Sequence, residues 1–405
     1  MLRNLPLILL LSLVTFLHLF RLDFPNAYVF DEVYHAFTAK EYLKGSKEAW
    51  EYWTTPPPGV AFEWTHPPIA KEIMAASMWI FKSTQPFFWR FPGAILGIVS
   101  VFLSYKLAEN LFKDKKLSLL SALIFSLSGL PLVQARTGMN DIYLIFFSLA
   151  SLIFLLKEKY FFSALFLGLA LSSKWTGIYL FGLLMIIFFF QNGFKKLIRN
   201  KLHTIALFVT IPIIVYLATY IPFFLLGHDF KQFVELQQQM WGYHTNLVAA
   251  HDYGSSWWSW PFNLYPVWYY VEYFPNTISN IFATGNPILF WLGLAAVILT
   301  AKDYLKKRTF SLAVILLGYF IFFLPWSISP RIMFLYHYTP TLPFLSLSLA
   351  YQIFKLKDKD KGLYYFLIGS IVFGFLIMYP FIAGIPLPKT LLSLFFLTNL
   401  TKNPF

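Results

Sequence analysis

The chain has 405 residues, 58% of them hydrophobic and 21% aromatic, a formal net charge of +13 and no cysteine. Its mean hydropathy of +0.60 is more than a soluble core could hide, so the composition selects a polytopic membrane protein. The absence of cysteine excludes disulfides, thiol nucleophiles and thiolate metal sites.

A spanning helix needs about 20 mostly apolar residues, and about eleven runs fit that template. The first, residues 5–20, follows Arg3 with no small-residue cleavage site behind it, so it reads as an uncleaved anchor. A long segment, residues 21–85, comes next and opens with two adjacent carboxylates, Asp31 and Glu32. It contains two short helix patterns. EVYHAFTAKEYLK sets Val33, Ala36, Phe37 and Leu43 on one side with Lys40 interrupting, and IAKEIMAASMWIF (Ile69 to Phe81) contains Lys71 and Glu72. Both are too short to span and are expected to lie in the membrane interface.

Six further runs follow at 86–106, 117–135, 140–156, 160–172, 175–190 and 204–226. A second long segment, residues 227–285, starts polar and turns aromatic in HDYGSSWWSWPFNLYPVWYY. Trp and Tyr favour the headgroup level, which puts an aromatic belt ahead of a ligand platform as the reading of that stretch. Runs at 286–301, 310–327, 332–351 and 363–383 follow, and one at 391–398 is too short to assign. The runs are continuous rather than alternating, so helices are expected, not a barrel. The expected fold is an all-α bundle of about eleven transmembrane helices with two long external loops carrying interfacial helices. Its parts are an N-terminal catalytic region over 1–226, an external loop over 227–285 and a C-terminal four-helix region over 286–405.

The short loops LAENLFKDKK, KEKY, QNGFKKLIRNKLH, AKDYLKKRTF and KLKDKDKG carry most of the basic residues, which assigns them to the cytoplasm. The isoelectric point near 9.5 then reports topology, and a nucleic-acid partner loses its support. The two long segments face the other side, and long structured loops commonly carry function.

Ionisable residues gather at the outer helix ends: Asp31, Glu32, His66, Lys71, Arg90, Arg136, Asp141, Lys174 and Arg331. Each has a bland alternative, since charges near helix ends snorkel or pair. Arg136 and Asp141 could pair around a helix start, and Asp31 could serve as an N-cap. Capping explains only one of the two adjacent acids. Several cations without a phosphate-cradling glycine loop suit an anionic lipid headgroup, with a carboxylate beside them as base. A sugar on a lipid phosphate already carries its leaving group, so catalysis needs cations to hold the departing phosphate and a base for the acceptor hydroxyl, but no general acid. Asp31, Glu32, His66, His244, His251 and Asp252 could supply metal ligands. No close spacing such as HxxxH occurs and cations alone can hold a phosphate, so no obligatory metal cofactor is expected, with a divalent ion as the alternative.

The motifs FDEVYH, THPPIAKEI, FWRFPGAILG, ARTGMNDIYLIFF, LALSSKWTGIY, HDYGSSWWSWPFNLYPVWYY and PRIMFLYHYTPTLPFLSLSLA follow one another along nearly the whole chain. In that order they resemble the protein O-mannosyltransferases, polyprenyl-phosphate-mannose-dependent members of the GT-C membrane glycosyltransferases. The resemblance implies inverting transfer of mannose from a polyprenyl-phosphate donor to Ser or Thr of a translocated protein. The acceptor would be a secreted or membrane protein, at the extracytoplasmic face of a prokaryotic plasma membrane. It places the base on Asp31, with Glu32 helping to hold acceptor or donor. Arg90, Lys174 and Arg331, with His66 and Lys71 behind them, become candidates for the donor phosphate. Arg136, Asp141, His251, Tyr253, Trp257, Tyr336 and His337 complete the candidates in these motifs. Eukaryotic members carry a β-trefoil insert in the second external loop, for which residues 227–285 leave no room, and this points to the prokaryotic type.

The nearest rival is a related enzyme with a lipid acceptor, such as an aminoarabinose transferase acting on lipid A. Those enzymes show Lys-Pro-Pro where this chain has HPP, and lack the KWTG and LYHY patterns. A transporter or flippase would place binding residues near the bilayer midplane and often shows internal repeats; here the charges cluster at one face and no repeat is visible.

Overall fold

The structure, a computed structural model, describes residues 5–193, 202–247 and 251–395. Every apolar run identified above contains a helix. In chain order these are α1 (Leu5–Leu19), α2 (His35–Lys44) and α3 (Ile69–Phe81) of the first long segment, α4 (Pro86–Phe112), α5 (Lys115–Ser126), α6 (Leu130–Arg136), α7 (Asp141–Leu156), α8 (Tyr160–Ser173), α9 (Gly177–Asn192) and α10 (Leu202–Ala218). They continue as the short α11 (Ile221–Leu225), α12 (Phe230–Asn246), α13 (Pro287–Lys307), α14 (Phe310–Phe323), α15 (Leu342–Phe354), α16 (Lys361–Ala383) and α17 (Lys389–Phe395). The end of the short 391–398 run lies outside the described residues.

Among the described residues four helices are long and apolar enough to cross a bilayer: Pro86–Phe112, Pro287–Lys307, Phe310–Ile328 and Lys361–Ala383. The pair α5 and α6, bent by 63°, makes a fifth if it counts as one span. Other apolar helices are 10–17 residues long, shorter than a straight span.

Side-chain caps set several helix starts. Asp114 accepts from the backbone N–H of Lys116 and Leu117 at 2.8 and 3.1 Å, and Asp360 accepts from that of Leu363 at 2.9 Å. Asn286 caps α13 with Pro287 behind it, the pairing of cap and first-turn proline that helix geometry favours. The bend between α5 and α6 contains Gly129 at φ +82°, where a Cβ would meet Thr284 O at 3.1 Å and Asn286 N at 3.2 Å. The break is therefore where another backbone crosses, joined by Asn286 N–H donating to Ser128 O at 2.9 Å.

The second long segment departs from the all-helical expectation. After α12 it forms an antiparallel hairpin, β1 (Val267–Tyr273) and β2 (Thr277–Ala283), to which the two-residue β3 (Leu387–Pro388) adds in the order β1-β2-β3. VWYYVEY and TISNIFA are rich in β-branched and aromatic residues around a Pro-Asn turn, which is a hairpin signal that the aromatic-belt reading obscured. The aromatic run itself divides: Trp260 is fully buried and donates to Ser255 Oγ at 3.0 Å, whereas Trp258 is exposed.

The two long segments pack on each other. Trp50 from the first meets Tyr220, Phe223, Phe233 and Leu236 near the second, and His228 Nε2 lies 3.1 Å from Glu51 Oε1. Lys40, which interrupts the stripe of α2, is accommodated by placing its ammonium over the rings of Trp89 (4.1 Å) and Tyr28 (4.6 Å), an attraction that lets a cation sit against an apolar face.

Candidate active site

A single 3₁₀ turn, Phe30–Val33, sends Asp31 and Glu32 into different surroundings. Phe30 has φ +48°, uncommon for a bulky residue, and its ring stacks on Tyr269 with centroids 4.4 Å apart. Glu32 is fully buried. Its Oε1 accepts from Arg90 Nε at 2.7 Å and Gly138 N at 2.9 Å, and its Oε2 from Arg90 Nη2 at 2.7 Å and Val29 N at 2.9 Å. Arg90 also donates to the carbonyls of Leu22, Pro25 and Ala27. A guanidinium has five N–H donors, and all are occupied. The expected roles of Arg90 at the donor phosphate and of Glu32 as a helper at the reacting groups are thus replaced by a buried clamp that fixes the turn.

Asp31 is its opposite. It sits half-buried on the wall of a cavity of about 580 Å³, and its carboxylate makes no hydrogen bond or ion pair with another of the described residues. Burial pushes its pKa up to about 7; the negative Glu63 adds to the rise and Lys174 opposes it. A carboxylate in that range is a stronger base than an exposed aspartate, and about half of it is ionised at neutral pH.

The cavity brings together eight expected residues: Asp31, His66, Asp141, Lys174, His251, Arg331, Tyr336 and His337. Lys174 follows the end of α8 in extended conformation and donates to Asp141 Oδ1 at 2.9 Å and Oδ2 at 3.1 Å, with both side chains buried. Arg331 donates from Nη1 to His244 Nδ1 at 2.5 Å and from Nε to Ile332 O at 3.3 Å. The Lys174 charge is answered by Asp141; among the described residues no carboxylate forms an ion pair with Arg331.

The THPP turn forms another wall. Glu63 Oε1 accepts from Thr65 N (2.7 Å), Thr65 Oγ1 (2.6 Å) and His66 N (3.0 Å), while its Oε2 lies 3.1 Å from His35 Nδ1. Burial would raise the Glu63 pKa, but Lys71, His35 and the Thr65 donors outweigh it and hold the group below its usual range. Lys71 is fully buried and donates to His66 O at 2.8 Å, with burial pulling its pKa down to about 8. It braces the turn and does not line the cavity, which removes it from the phosphate candidates. The His66 ring is stacked between His35 and His244, at 6.2 and 5.1 Å. Burial, then the nearby His244 and Lys174, hold its pKa well below the ordinary value, so it enters the site as a neutral ring.

Three other expected residues lie elsewhere. Arg136 donates to the carbonyls of Leu17, His18 and Phe20 at 2.7–2.9 Å, satisfying the orphan carbonyls at the end of α1; its expected pairing with Asp141 gives way to the Lys174–Asp141 bridge. Trp257 packs edge-on to Phe323, and Tyr253 donates its backbone N–H to His251 Nδ1 at 3.2 Å without lining the cavity. The sequence reading missed Glu63, His35, Asn140 and Tyr243, all on the cavity wall. The Glu-x-Thr spacing ahead of HPP is the one signal for Glu63, because a carboxylate there can reach back-bonded donors two and three residues on.

A second cavity of about 190 Å³ adjoins the first, sharing His66, Lys174, Arg331 and His337, and is otherwise largely aromatic, with Trp175, Tyr179, Trp241 and Trp326. Among the described residues no three His, Asp or Glu side chains converge in a way that could hold a metal ion. The arrangement therefore offers a free carboxylate and two cations at the junction of a polar cavity with an aromatic one.

Two family models match the chain: the dolichyl-phosphate-mannose-protein mannosyltransferase model over residues 7–227 and the C-terminal four-transmembrane region of protein-O-mannosyltransferase over residues 229–397. The polyprenol-phosphate-mannose–protein mannosyltransferase of Mycolicibacterium smegmatis is 24% identical, covering 80% of this chain and 79% of its own length. That of Mycobacterium tuberculosis is 24% identical over 95% and 88%. Among solved structures, the Saccharomyces cerevisiae Pmt1–Pmt2 complex bound to the sugar donor shares the fold at a TM-score of 0.81 and 15% identity, covering 95% of this chain and 90% of that one. ArnT from Cupriavidus metallidurans bound to undecaprenyl phosphate does so at 0.65 and 15%, covering 89% and 62%. With both models matched in order along the chain, the protein belongs to the protein O-mannosyltransferase family.

Proposed function

We propose that the protein is a glycosyltransferase that moves mannose from polyprenyl-phosphate-mannose to Ser or Thr hydroxyls of protein acceptors. The observation that carries this reading is the meeting, in one cavity, of a carboxylate, Asp31, and a cation, Arg331, neither of which forms an ion pair among the described residues. Asp31 takes the proton of the acceptor hydroxyl as its oxygen attacks the anomeric carbon of mannose. The carbon–oxygen bond to the phosphate breaks, its electron pair stays on the phosphate, and polyprenyl phosphate departs. Attack from the side opposite the leaving group inverts the anomeric carbon. Arg331 retains three N–H donors beyond those given to His244 and Ile332, and Lys174 retains one beyond Asp141; both can hold the phosphate as charge builds on it. The aromatic cavity suits the first isoprene units of the donor, with the sugar in the polar one. No metal is needed for this division of labour.

The basic loops support a further placement: the bilayer is crossed by the shorter apolar helices as well as the long ones, about eleven crossings in all, and the catalytic cavity opens on the extracytoplasmic side of a prokaryotic plasma membrane. A lipid-acceptor enzyme shares the fold, but the curated relatives named above are protein mannosyltransferases. The deciding experiment incubates purified protein with polyprenyl-phosphate-mannose and either a Ser/Thr peptide, the same peptide with Ala at those positions, or a lipid acceptor. Mannose on the Ser/Thr peptide alone supports the reading; transfer only to the lipid replaces it with the rival.

A further inference from the structure

We infer that His244, on the second external segment, is a positioning residue that holds the Arg331 guanidinium in place for the donor phosphate; this rests on the mannosyl-transfer reading above. The geometry is a relay of two hydrogen bonds. His244 Nε2 lies 2.8 Å from Thr65 O, a group that can only accept, so Nε2 carries the proton and Nδ1 presents a lone pair. Arg331 Nη1 donates to that lone pair at 2.5 Å. One neutral ring therefore connects the THPP turn of the first external segment, the end of α12 and the segment that follows α14.

The ring itself has little freedom. It is stacked on His66 at 5.1 Å and tilted against Trp175 at 5.9 Å. Burial, and then Arg331, pull the His244 pKa down to about 4, which keeps Nδ1 an acceptor at neutral pH. The charged groups acting on it are Arg331, Glu63 and Lys174, with the neutral His66 stacked alongside. A neutral acceptor orients the guanidinium without neutralising it, whereas the carboxylate of Asp141 answers the charge of Lys174. Arg331 thus keeps a full positive charge and three N–H donors for the phosphate, which enters as a diester monoanion and gains charge as it leaves.

The test is a double-mutant cycle read by donor kinetics. His244→Phe preserves the stacked ring and deletes the acceptor. It should raise the donor KM roughly tenfold, a coupling of about 1.4 kcal/mol and within the range for partners in one hydrogen-bonded network, with a smaller change in kcat and a thermal midpoint close to the parent's without donor. His244→Asn, which can turn an amide oxygen toward Arg331, should recover part of the loss. In an Arg331→Ala background, His244→Phe should do nothing further. If the two effects multiply instead, or if His244→Phe leaves the donor KM unchanged, His244 does not act through Arg331 and the inference fails. A parent enzyme that turns over no polyprenyl-phosphate-mannose at all would instead sink the functional reading on which it rests.

Discussion

The guanidinium of Arg90 grips the carboxylate of Glu32 through two parallel hydrogen bonds of 2.7 Å, in a place where neither side chain reaches water. This pair positions the turn that carries Asp31, and its loss should be felt as stability. Breaking one partner of a buried ion pair costs about 3–5 kcal/mol, so Glu32→Gln and Arg90→Ala should lower the thermal midpoint and the yield of folded protein. The folded fraction of Glu32→Gln should keep a donor KM near the parent value. A raised donor KM with unchanged stability would return these residues to the substrate.

The Lys174–Asp141 bridge makes a different prediction. Lys174→Met strands Asp141 in a buried site and should destabilise the protein, while Lys174→Met combined with Asp141→Asn should recover much of the stability without recovering turnover. Arg331→Ala, which removes the cation without a carboxylate partner among the described residues, should raise the donor KM more than the Lys174/Asp141 double variant does. A single charge-assisted hydrogen bond is worth about 1.5–3 kcal/mol, and Lys at position 331 should restore only part of it because an ammonium lacks the guanidinium fork. Equal donor KM values in Arg331→Ala and the parent would place the phosphate elsewhere.

Membrane orientation can be read directly because the chain has no cysteine. Single cysteines at the exposed positions Lys47 and Asp252 should react with an impermeant maleimide from outside intact cells, and those at the exposed Lys113 and Lys306 only after permeabilisation. The reverse pattern would turn the Asp31 cavity toward the cytoplasm.

Hydropathy alone locates a helix in every apolar run, because lipid leaves the backbone few alternatives to helix. It does not anticipate the hairpin Val267–Tyr273 and Thr277–Ala283, whose aromatic and β-branched residues suit a strand and a membrane interface equally well. The cations at helix ends are visible as a set, but their partners are not: Arg90 and Arg136 spend their donors on groups that only the folded chain brings near, and Lys71 spends one on the backbone of His66 in its own motif. Arg90 and Glu32 are 58 positions apart in sequence. Asp31 and Glu32 are neighbours in chemistry and in sequence, so their division into unpaired carboxylate and buried clamp depends on the turn that carries them. The contacts of Glu63 and His244 are hidden for the same reason, since each bonds to backbone groups of THPP.

The raised pKa of Asp31 has a signed consequence for stability. Because burial lifts it from 3.8 to about 7, the folded state favours the protonated acid. Its contribution is fully present below about pH 4 and is lost as pH rises through about 7. Asp31→Asn cannot ionise, so its thermal midpoint should match the parent's near pH 4 and exceed it increasingly up to pH 8. A gap that is constant across this range would mean that Asp31 titrates in the same way folded and unfolded.

The most direct measurement is mannosyl transfer to a Ser/Thr peptide by Asp31→Asn at saturating donor, compared with the parent across pH 5–9. The parent kcat/KM should rise with pH and level off above about 7, as the free carboxylate loses its proton. Asp31→Asn should bind donor as the parent does, shown by an equal donor-induced rise in thermal midpoint, while its kcat falls by roughly 10²–10⁴, the usual contribution of a positioned general base. Parent-like turnover in Asp31→Asn, with or without the pH dependence, would contradict the assignment of the base.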